Sequence, residues 1–428
     1  MNIHVIGIGG IGASALAQYY KAKGHNVSGS DVASSEITHL LKRKGIGVRI
    51  GKHKASNVPA KVDLVIYSPA VQKNNPELQV ARKRAITIQS YPEALGDLTT
   101  LYHTIAVSGT HGKSTTTAMI ARILIAAKLD PTVIIGTKLA EFGGSNCRVG
   151  KGKYLVIEAD EHMASFLNYN PTAIVLTTIE EDHLDFYGSL ANIKKTFRTY
   201  VAKLPPDGVL VANKNDRNTR EIVPASPRFK IAWYTESKKV KLKVPGKHNL
   251  TNAAAALTLA RHLGAPEKIC LKALLGFTGS WRRFEVFKLP RFILVSDYGH
   301  HPTEIAATMQ AVGERWPSKK VWLVFQPHQY DRTYRLFAGF LKTLRDIKTE
   351  RILIAPIYDV AGRERKSVKS RVSSKRLAQE TRAGHIQALT LSEIERELKK
   401  IPKGTVLVVM GAGDVYEKLT RKLTRQRG

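Results

Sequence analysis

The chain has 428 residues, of which 67 are Lys or Arg and 35 are Asp or Glu, giving a net charge of +32 with 43% hydrophobic content. Such a length predicts two or three domains with ample apolar surface to bury, and two cysteines, Cys147 and Cys270, exclude a disulfide framework. No stretch approaches the roughly 18 uninterrupted apolar residues of a membrane span, so the sequence predicts a soluble cytoplasmic protein with no membrane insertion.

The basic excess invites a nucleic-acid or anionic-membrane reading. It is spread along the whole chain, which fits a compositional bias or anionic substrates at least as well. Its densest clusters, residues 363–376 and 418–427, read as solvated faces.

In chain order, residues 3–7 form a short β-branched run, followed by Gly7-Ile8-Gly9-Gly10-Ile11-Gly12 and a helical pattern through residue 22. A strand over 25–30 then ends in Asp31. Strand, glycine turn, helix, strand and acidic residue form the dinucleotide-fold fingerprint, in which the helix start receives a pyrophosphate. NAD, FAD and a UDP-linked substrate all carry that diphosphate, so Gly9, Gly10, Ile11 and Gly12 specify the phosphate group rather than the molecule. Asp31 is a candidate ribose or base acceptor. A strand over 63–67 ends at Ser68, a further candidate for the same ligand, and this first doubly wound unit closes near residue 100.

An apolar run at 104–107 leads into Gly109-Thr110-His111-Gly112-Lys113-Ser114-Thr115, and a helical pattern follows over 118–127. This reads as a phosphate-binding loop: backbone N–H groups surround phosphate oxygens, Lys113 faces the outer phosphates and the Ser114 hydroxyl can hold magnesium. The usual first glycine would fall at Val107, so the loop is a shortened variant. A strand over 154–158 ends in Glu158-Ala159-Asp160-Glu161, a carboxylate cluster where a hard cation beside polyphosphate needs one. A strand over 173–177 leads to Glu180-Glu181-Asp182-His183-Leu184-Asp185, where His183 adds a possible metal-binding imidazole. Residues 208–212 read as a strand, 245–249 as a turn and 252–263 as a helix.

The last unit alternates strands at 292–296, 321–325, 351–355 and 405–410 with helices, the pattern of a parallel sheet. Arg282-Arg283, Asp297-Tyr298-Gly299-His300-His301 and the stretch from Gln326 to Thr333 stand at its entry and at successive strand ends. Recurring histidines and arginines there favour a site over packing.

These stretches, GIGGIGASALA from Gly7, GTHGKSTT from Gly109, EADE from Glu158, DHLDFYG from Asp182, GKHNLTNAAAA from Gly246, RRFE from Arg282, DYGHHPTEI from Asp297, QPHQYDRT from Gln326 and MGAGDV from Met410, resemble in order those of the Mur ligases, and within that family the alanine-adding branch. The resemblance implies an α/β protein of three domains: a Rossmann-like UDP-binding domain (1–100), a central P-loop ATPase-type domain (101–283) and a Rossmann-like C-terminal domain (284–428). It also implies ATP-dependent joining of L-alanine to the carboxylate of UDP-N-acetylmuramate through an acyl phosphate. Lys113 would neutralise the migrating phosphoryl group, Ser114 and Glu158 would hold one magnesium and His183 a second. His248 and Asn252 match positions near adenine, Asp297 a ribose contact and Arg283 a phosphate contact. Tyr298, His300, His328 and Arg332 match positions around the amino acid.

Four departures accompany the resemblance. Gln329 replaces an arginine usual in alanine ligases, Ser296 replaces a common second aspartate, and residues 231–247 lack the length for a peripheral hairpin. Arg198 stands where some members carry a carbamylated lysine, as expected of the alanine-adding branch. Alternatives are addition of glycine or serine, recycling of a muropeptide, an NAD-dependent oxidoreductase and a basic nucleic-acid binder; the strand-end motifs speak against the last. A monomer or a homodimer fits equally.

Overall fold

The computed structural model describes residues 1–360 and 366–425, so the two densest basic clusters lie partly outside the described residues. Its first sheet contains β1 (Asn2–Ile6), β2 (Asn26–Asp31), β3 (Gly47–Ile50), β4 (Leu64–Tyr67) and β5 (Thr87–Ser90), ordered β3-β2-β1-β4-β5 and parallel throughout. Helices α1 (Ile11–Ala22), α2 (Glu36–Arg43), α3 (Pro76–Lys83) and α4 (Tyr91–Thr99) follow the strands in turn. The strand order reverses at β1, beside the glycine turn, which is where open parallel sheets leave a crevice.

A buried polar network lies in this sheet. Glu77 on α3 is fully buried and accepts from His4 Nε2 at 2.8 Å, His53 Nδ1 at 2.7 Å, Ser30 Oγ at 2.7 Å and Asn57 Nδ2 at 2.9 Å. Burial opposes its charge, but these donors outweigh it and hold the carboxyl down to about 2. A depressed carboxylate pKa contributes stability above the ordinary value near 4.5 and loses it as pH falls through the folded value. We expect Glu77→Gln to cost about 2–4 kcal/mol at pH 7 and to flatten the acid limb of stability between roughly pH 5 and 2. Denaturant melts across that range test it, and an unchanged acid limb contradicts the assignment.

The second sheet holds β6 (His103–Ser108), β7 (Thr132–Leu139), β8 (Ser145–Arg148), β9 (Tyr154–Glu158), β10 (Ala173–Leu176), β11 (Val209–Asn213) and β12 (Lys230–Tyr234), ordered β12-β11-β10-β6-β9-β7-β8. All pairs are parallel except the β7–β8 hairpin. α5 (Lys113–Ala126) follows β6, and its residues from Ser114 to Ala121 are all buried, as its weakly polar sequence requires. The hairpin receives α1 through buried amide bonds: Gln18 Nε2 donates to Asn146 Oδ1 at 2.7 Å, and Asn146 Nδ2 to Ser14 Oγ at 3.0 Å. The first two sheets therefore share one compact unit, residues 1–180, 191–241 and 252–275.

The other compact unit comprises residues 181–190, 242–251 and 276–428. After α6 (Leu184–Tyr187), α7 (Leu190–Val201), α8 (Arg217–Ile222), α9 (Lys247–His262) and α10 (Glu267–Leu275), the chain forms β13 (Glu285–Lys288), β14 (Ile293–Asp297), β15 (Val321–Phe325), β16 (Arg351–Ile354), β17 (Ile386–Ala388) and β18 (Val406–Met410). Their order is β13-β14-β18-β15-β16-β17. Along β15, Leu323 and Phe325 enter one apolar layer with Ile305 and Phe340, while Trp322 and Val324 enter the opposite layer with Ile394 and Leu398. That two-residue alternation between two cores explains an unbroken apolar strand.

The three-sheet α/β architecture is the expected one, with local corrections. β13 pairs antiparallel with β14, so the last sheet is mixed. α5 begins at Lys113 rather than 118, because Ser114 to Thr117 bury their small side chains in its first turn. α9 begins at Lys247, inside the expected turn. The acidic run after β10 divides, Glu180 falling in one compact unit and Glu181 to Asp185 in the other. Among the described residues, no helix is long and apolar enough to cross a membrane.

Several described members of the basic clusters are paired at the surface, among them Lys418 with Asp414 at 2.6 Å, Arg376 with Glu380 at 2.6 Å and Lys422 with Glu395. Solvated faces were expected there.

Candidate active site

The turn between β1 and α1 is held by its own backbone: Gly7 N and Ile8 N both donate to Ser30 O, at 2.9 and 3.0 Å. Asp31 braces it, accepting from Gly9 N at 2.8 Å and Ala33 N at 3.2 Å. Its carboxylate is thus engaged with the loop that was expected to share a ligand with it. Gly10 caps α1 with no side-chain bond, leaving the first N–H groups of the helix directed out of the turn as an anion-binding end. Ser68 lies beside the turn, its Cβ 3.0 Å from where a Cβ on Gly7 would stand. At Gly12 an added Cβ would fall 2.6 Å from Tyr91 Cζ, so only glycine permits this approach.

In the same compact unit, Gly112 carries the left-handed conformation (φ +82°) that turns β6 into α5, and a Cβ there would lie 2.3 Å from Asn252 Oδ1. Thr110 N donates to Thr178 O at 2.7 Å and His111 N to Thr178 Oγ1 at 3.3 Å, anchoring the loop to the segment after β10. Lys113 Nζ lies 2.7 Å from Gly109 O and 2.7 Å from Glu161 Oε2. Burial favours loss of its proton, but Glu161 and Asp160 outweigh burial and hold its pKa above the ordinary lysine range. Burial also lifts the Glu161 carboxyl above its usual value despite the pull of Lys113. Ser114 Oγ donates to Glu158 Oε1 at 2.9 Å, and Gly136 N to Glu158 Oε2 at 2.8 Å. This hydroxyl and carboxylate at the mouth of a phosphate loop are hard oxygen donors suited to magnesium.

The C-terminal unit supplies a second set. Asp297 Oδ1 accepts from Gly299 N at 2.7 Å and Oδ2 from Phe284 N at 2.9 Å, and burial raises its pKa. Arg282 is buried over the rings of Tyr298 (4.8 Å) and Tyr416 (5.0 Å) and donates to Gly411 O at 2.6 Å, pinning the turn after β18. Arg283 stacks on the other contact of Tyr298 at 4.7 Å and lies 4.0 Å from Glu304. His248 is held below its ordinary pKa, chiefly by burial.

Around α12 (Tyr330–Arg335), Arg332 Nε meets Asp182 Oδ1 at 2.9 Å and Arg332 Nη1 lies 3.2 Å from His328 Nδ1. Burial and the Arg332 charge bring His300 down to about 3; burial, with His300 and Arg332, brings His328 down to about 2. Both rings are therefore neutral at pH 7. His183 sits at the start of α6 in a left-handed conformation (φ +50°), 3.7 Å from Asp182. His301, which follows His300 in the chain, is a different case: it caps α11 (Pro302–Arg315), Nδ1 accepting from Thr303 N at 3.2 Å. A cleft of this unit is lined by Asp182, His183, Gln329, Asp331, Arg332 and Arg335, with Gln329 in a strained backbone conformation (φ +68°).

Family models match the chain in three consecutive blocks: the Mur ligase catalytic domain over residues 2–103, the Mur ligase middle domain over 107–235 and the Mur ligase glutamate ligase domain over 282–413. The chain belongs to the Mur ligase family. The UDP-N-acetylmuramate–L-alanine ligase of Aquifex aeolicus is 37% identical to it, covering 97% of this chain and 95% of that one. The enzyme of the same name from Acetivibrio thermocellus is 36% identical over 97% and 94%. Among solved structures, UDP-N-acetylmuramate-alanine ligase from Thermotoga maritima matches with a TM-score of 0.81 at 29% identity, covering 100% of this chain and 99% of that one. A murein peptide ligase from Psychrobacter arcticus shares the fold, with a TM-score of 0.75 at 22% identity over 99% and 98%.

The residues expected at the nucleotide loop, Gly109 to Thr115 with Glu158 and Asn252, come together in the first compact unit. Those expected around the amino acid, Tyr298, His300, His328 and Arg332, come together in the second. Sequence reading missed the roles of Glu161 as the Lys113 partner, of Arg282 as the clamp on the last glycine turn, and of Tyr91. Glu161 and Arg282 stood within quoted motifs, whereas Tyr91 carries no local signal.

Proposed function

We propose that this Mur ligase joins L-alanine to the carboxylate of UDP-N-acetylmuramate at the expense of ATP, with domains at 1–100, 101–283 and 284–428. The observation that carries the reading is one unit holding both a diphosphate-type helix start at Gly9 to Gly12 and a phosphate loop whose lysine stays charged while Ser114 and Glu158 pair beside it. Near-full-length similarity to two alanine ligases supports it.

A carboxylate resists an amine until one oxygen becomes a leaving group. Its oxygen attacks the γ-phosphorus of ATP and ADP departs; the amine then attacks the acyl phosphate and inorganic phosphate leaves. Lys113 offsets the charge that develops on the transferring group. Magnesium, held by Ser114 and Glu158 with His183 as a second-site ligand, would supply further charge neutralisation. His248 and Asn252 are assigned to adenine, Asp297 to ribose, Arg283 to phosphate, and Asp31 to bracing the UDP-binding turn. The work is cytoplasmic precursor synthesis for peptidoglycan.

Phosphate release with UDP-N-acetylmuramate and a panel of amino acids, beside calorimetry with NAD and NADP, tests the reading. Release with L-alanine and no saturable NAD binding is expected; tight NAD binding without UDP-sugar binding overturns it.

Acceptor affinity should respond to Gln329. Its side chain offers neutral hydrogen bonds in a cleft whose charges are Glu181, Asp182, Asp185, Asp331, Arg332 and Arg335, and Arg335 is already engaged by Asp331 at 2.6 Å. A charged donor is worth about 1 kcal/mol more than a neutral one, so Gln329→Arg is expected to lower the KM for L-alanine several-fold and leave that for ATP unchanged. An unaltered alanine KM, or a preference for glycine or serine in the panel, contradicts this account of the pocket.

A further inference from the structure

One side chain lies at the seam of the two phosphate-type sites and is used by neither. Tyr91 opens α4, its ring against Gly12 of the diphosphate turn, where an added Cβ would approach its hydroxyl oxygen to 2.9 Å. The charges of Glu158 and Asp160 from the phosphate-loop side act on the same hydroxyl. The residue is only partly buried, and among the described residues its hydroxyl has no hydrogen-bond partner. A phenol that merely filled space between α1 and α4 would gain nothing from its oxygen, since phenylalanine packs equally well without a polar atom to satisfy.

The chemistry of the reaction requires a guest at this place. A UDP-linked acid whose diphosphate rests on Gly9 to Gly12 must extend its carboxylate toward the phosphoryl group carried by the loop at Lys113, and Tyr91, in contact with Gly12 and within the field of Glu158, stands beside both. We propose that the Tyr91 hydroxyl donates a hydrogen bond to the substrate carboxylate, holding one oxygen while the other attacks phosphorus; this rests on the ligase reading above. After transfer the held oxygen is the carbonyl of the acyl phosphate, and when the amine adds it takes the negative charge, so one donor serves both steps. When phosphate departs, the charge returns to the new amide bond and the phenol keeps its proton throughout. Burial first, then Glu158 and Asp160, raise the Tyr91 pKa and keep that proton in place.

Two ligands separate this role from packing. UDP-N-acetylmuramate carries the carboxylate; UDP-N-acetylglucosamine has the same diphosphate and sugar without it. Calorimetry on the full chain is expected to show Tyr91→Phe binding the muramate roughly ten- to hundredfold more weakly than the wild type, with unchanged affinity for the glucosamine and an unchanged melting temperature. In turnover, kcat should fall while the KM for ATP stays constant. Tyr91→Met, which removes the ring as well, should weaken both UDP-sugars. Equal losses for both sugars with Tyr91→Phe, or no loss for either, assign the residue to packing and overturn the proposal. A wild type that binds both sugars equally overturns it too, while leaving the diphosphate turn intact. A wild type that binds neither overturns the ligase reading itself.

Discussion

Lys113→Ala is expected to reduce ATP-dependent ligation by a factor on the order of 10² or more, with the affinity for UDP-N-acetylmuramate little changed. The ammonium lies 2.7 Å from Gly109 O within the phosphate loop and retains its charge because Glu161 and Asp160 outweigh the effect of burial. Its removal takes away the one lysine charge of this loop, the charge that the proposed reaction sets against the transferring phosphoryl group. The fold should survive. Glu161 already has a raised pKa, and without its cation it can take up a proton instead of remaining a buried anion. The diphosphate turn at Gly9 to Gly12 is built by separate bonds to Ser30 and Asp31, so the UDP-sugar should still bind. Phosphate-release kinetics and calorimetry on one preparation decide the matter, and near-normal turnover by the folded variant sinks the assignment.

Breaking the Arg332–Asp182 pair should have the largest effect on stability. Both side chains are nearly buried, with 7% and 10% exposure, and Nε meets Oδ1 at 2.9 Å. Burial opposes the Asp182 charge, but Arg332, then His183 and His300, outweigh it and hold the pKa well below the carboxylate range. Arg332→Met leaves that carboxylate without its main partner, at a cost of about 3–5 kcal/mol. Because the depressed pKa belongs to a carboxylate, the pair's contribution is present above pH 4 or so and is lost on acidification, so wild type and variant should converge at low pH. Adding Asp182→Asn should recover much of the stability, since no buried charge then remains, without restoring use of L-alanine. Denaturant melts and the alanine KM of the single and double variants give the two readouts. Recovery of both together would reduce Arg332 to a structural role.

The sequence by itself determined the local chemistry of this protein. Glycine turns at Gly7 to Gly12 and Gly109 to Thr115 announce strand-to-helix loops because their backbone conformations and close approaches exclude other residues, and this information is contained within seven or so positions. Unbroken apolar runs such as 321–325 likewise announce strands covered on both faces. The strands left unread were β3, β5, β7, β8, β12, β13 and β17: all but β7 have five residues or fewer, too few for alternation to register, whereas β7 has eight residues, most of them buried, and lacks alternation for that reason.

Only the tertiary structure decided how distant segments share their work. Asp31 lies where a ligand-binding acid is expected, yet its carboxylate accepts from Gly9 N, a bond across 22 residues that no local pattern encodes. Glu180 and Glu181 are adjacent in the chain but fall in different compact units. Asp182 meets Arg332 across 150 residues, and Tyr91 meets Gly12 only because α1 and α4 pack side by side. Turn geometry is a property of a few neighbouring dihedral angles, and so it is written in the sequence. Partnership between buried charges depends on which strand ends the folded sheets bring together, and that is fixed only once the whole core has closed.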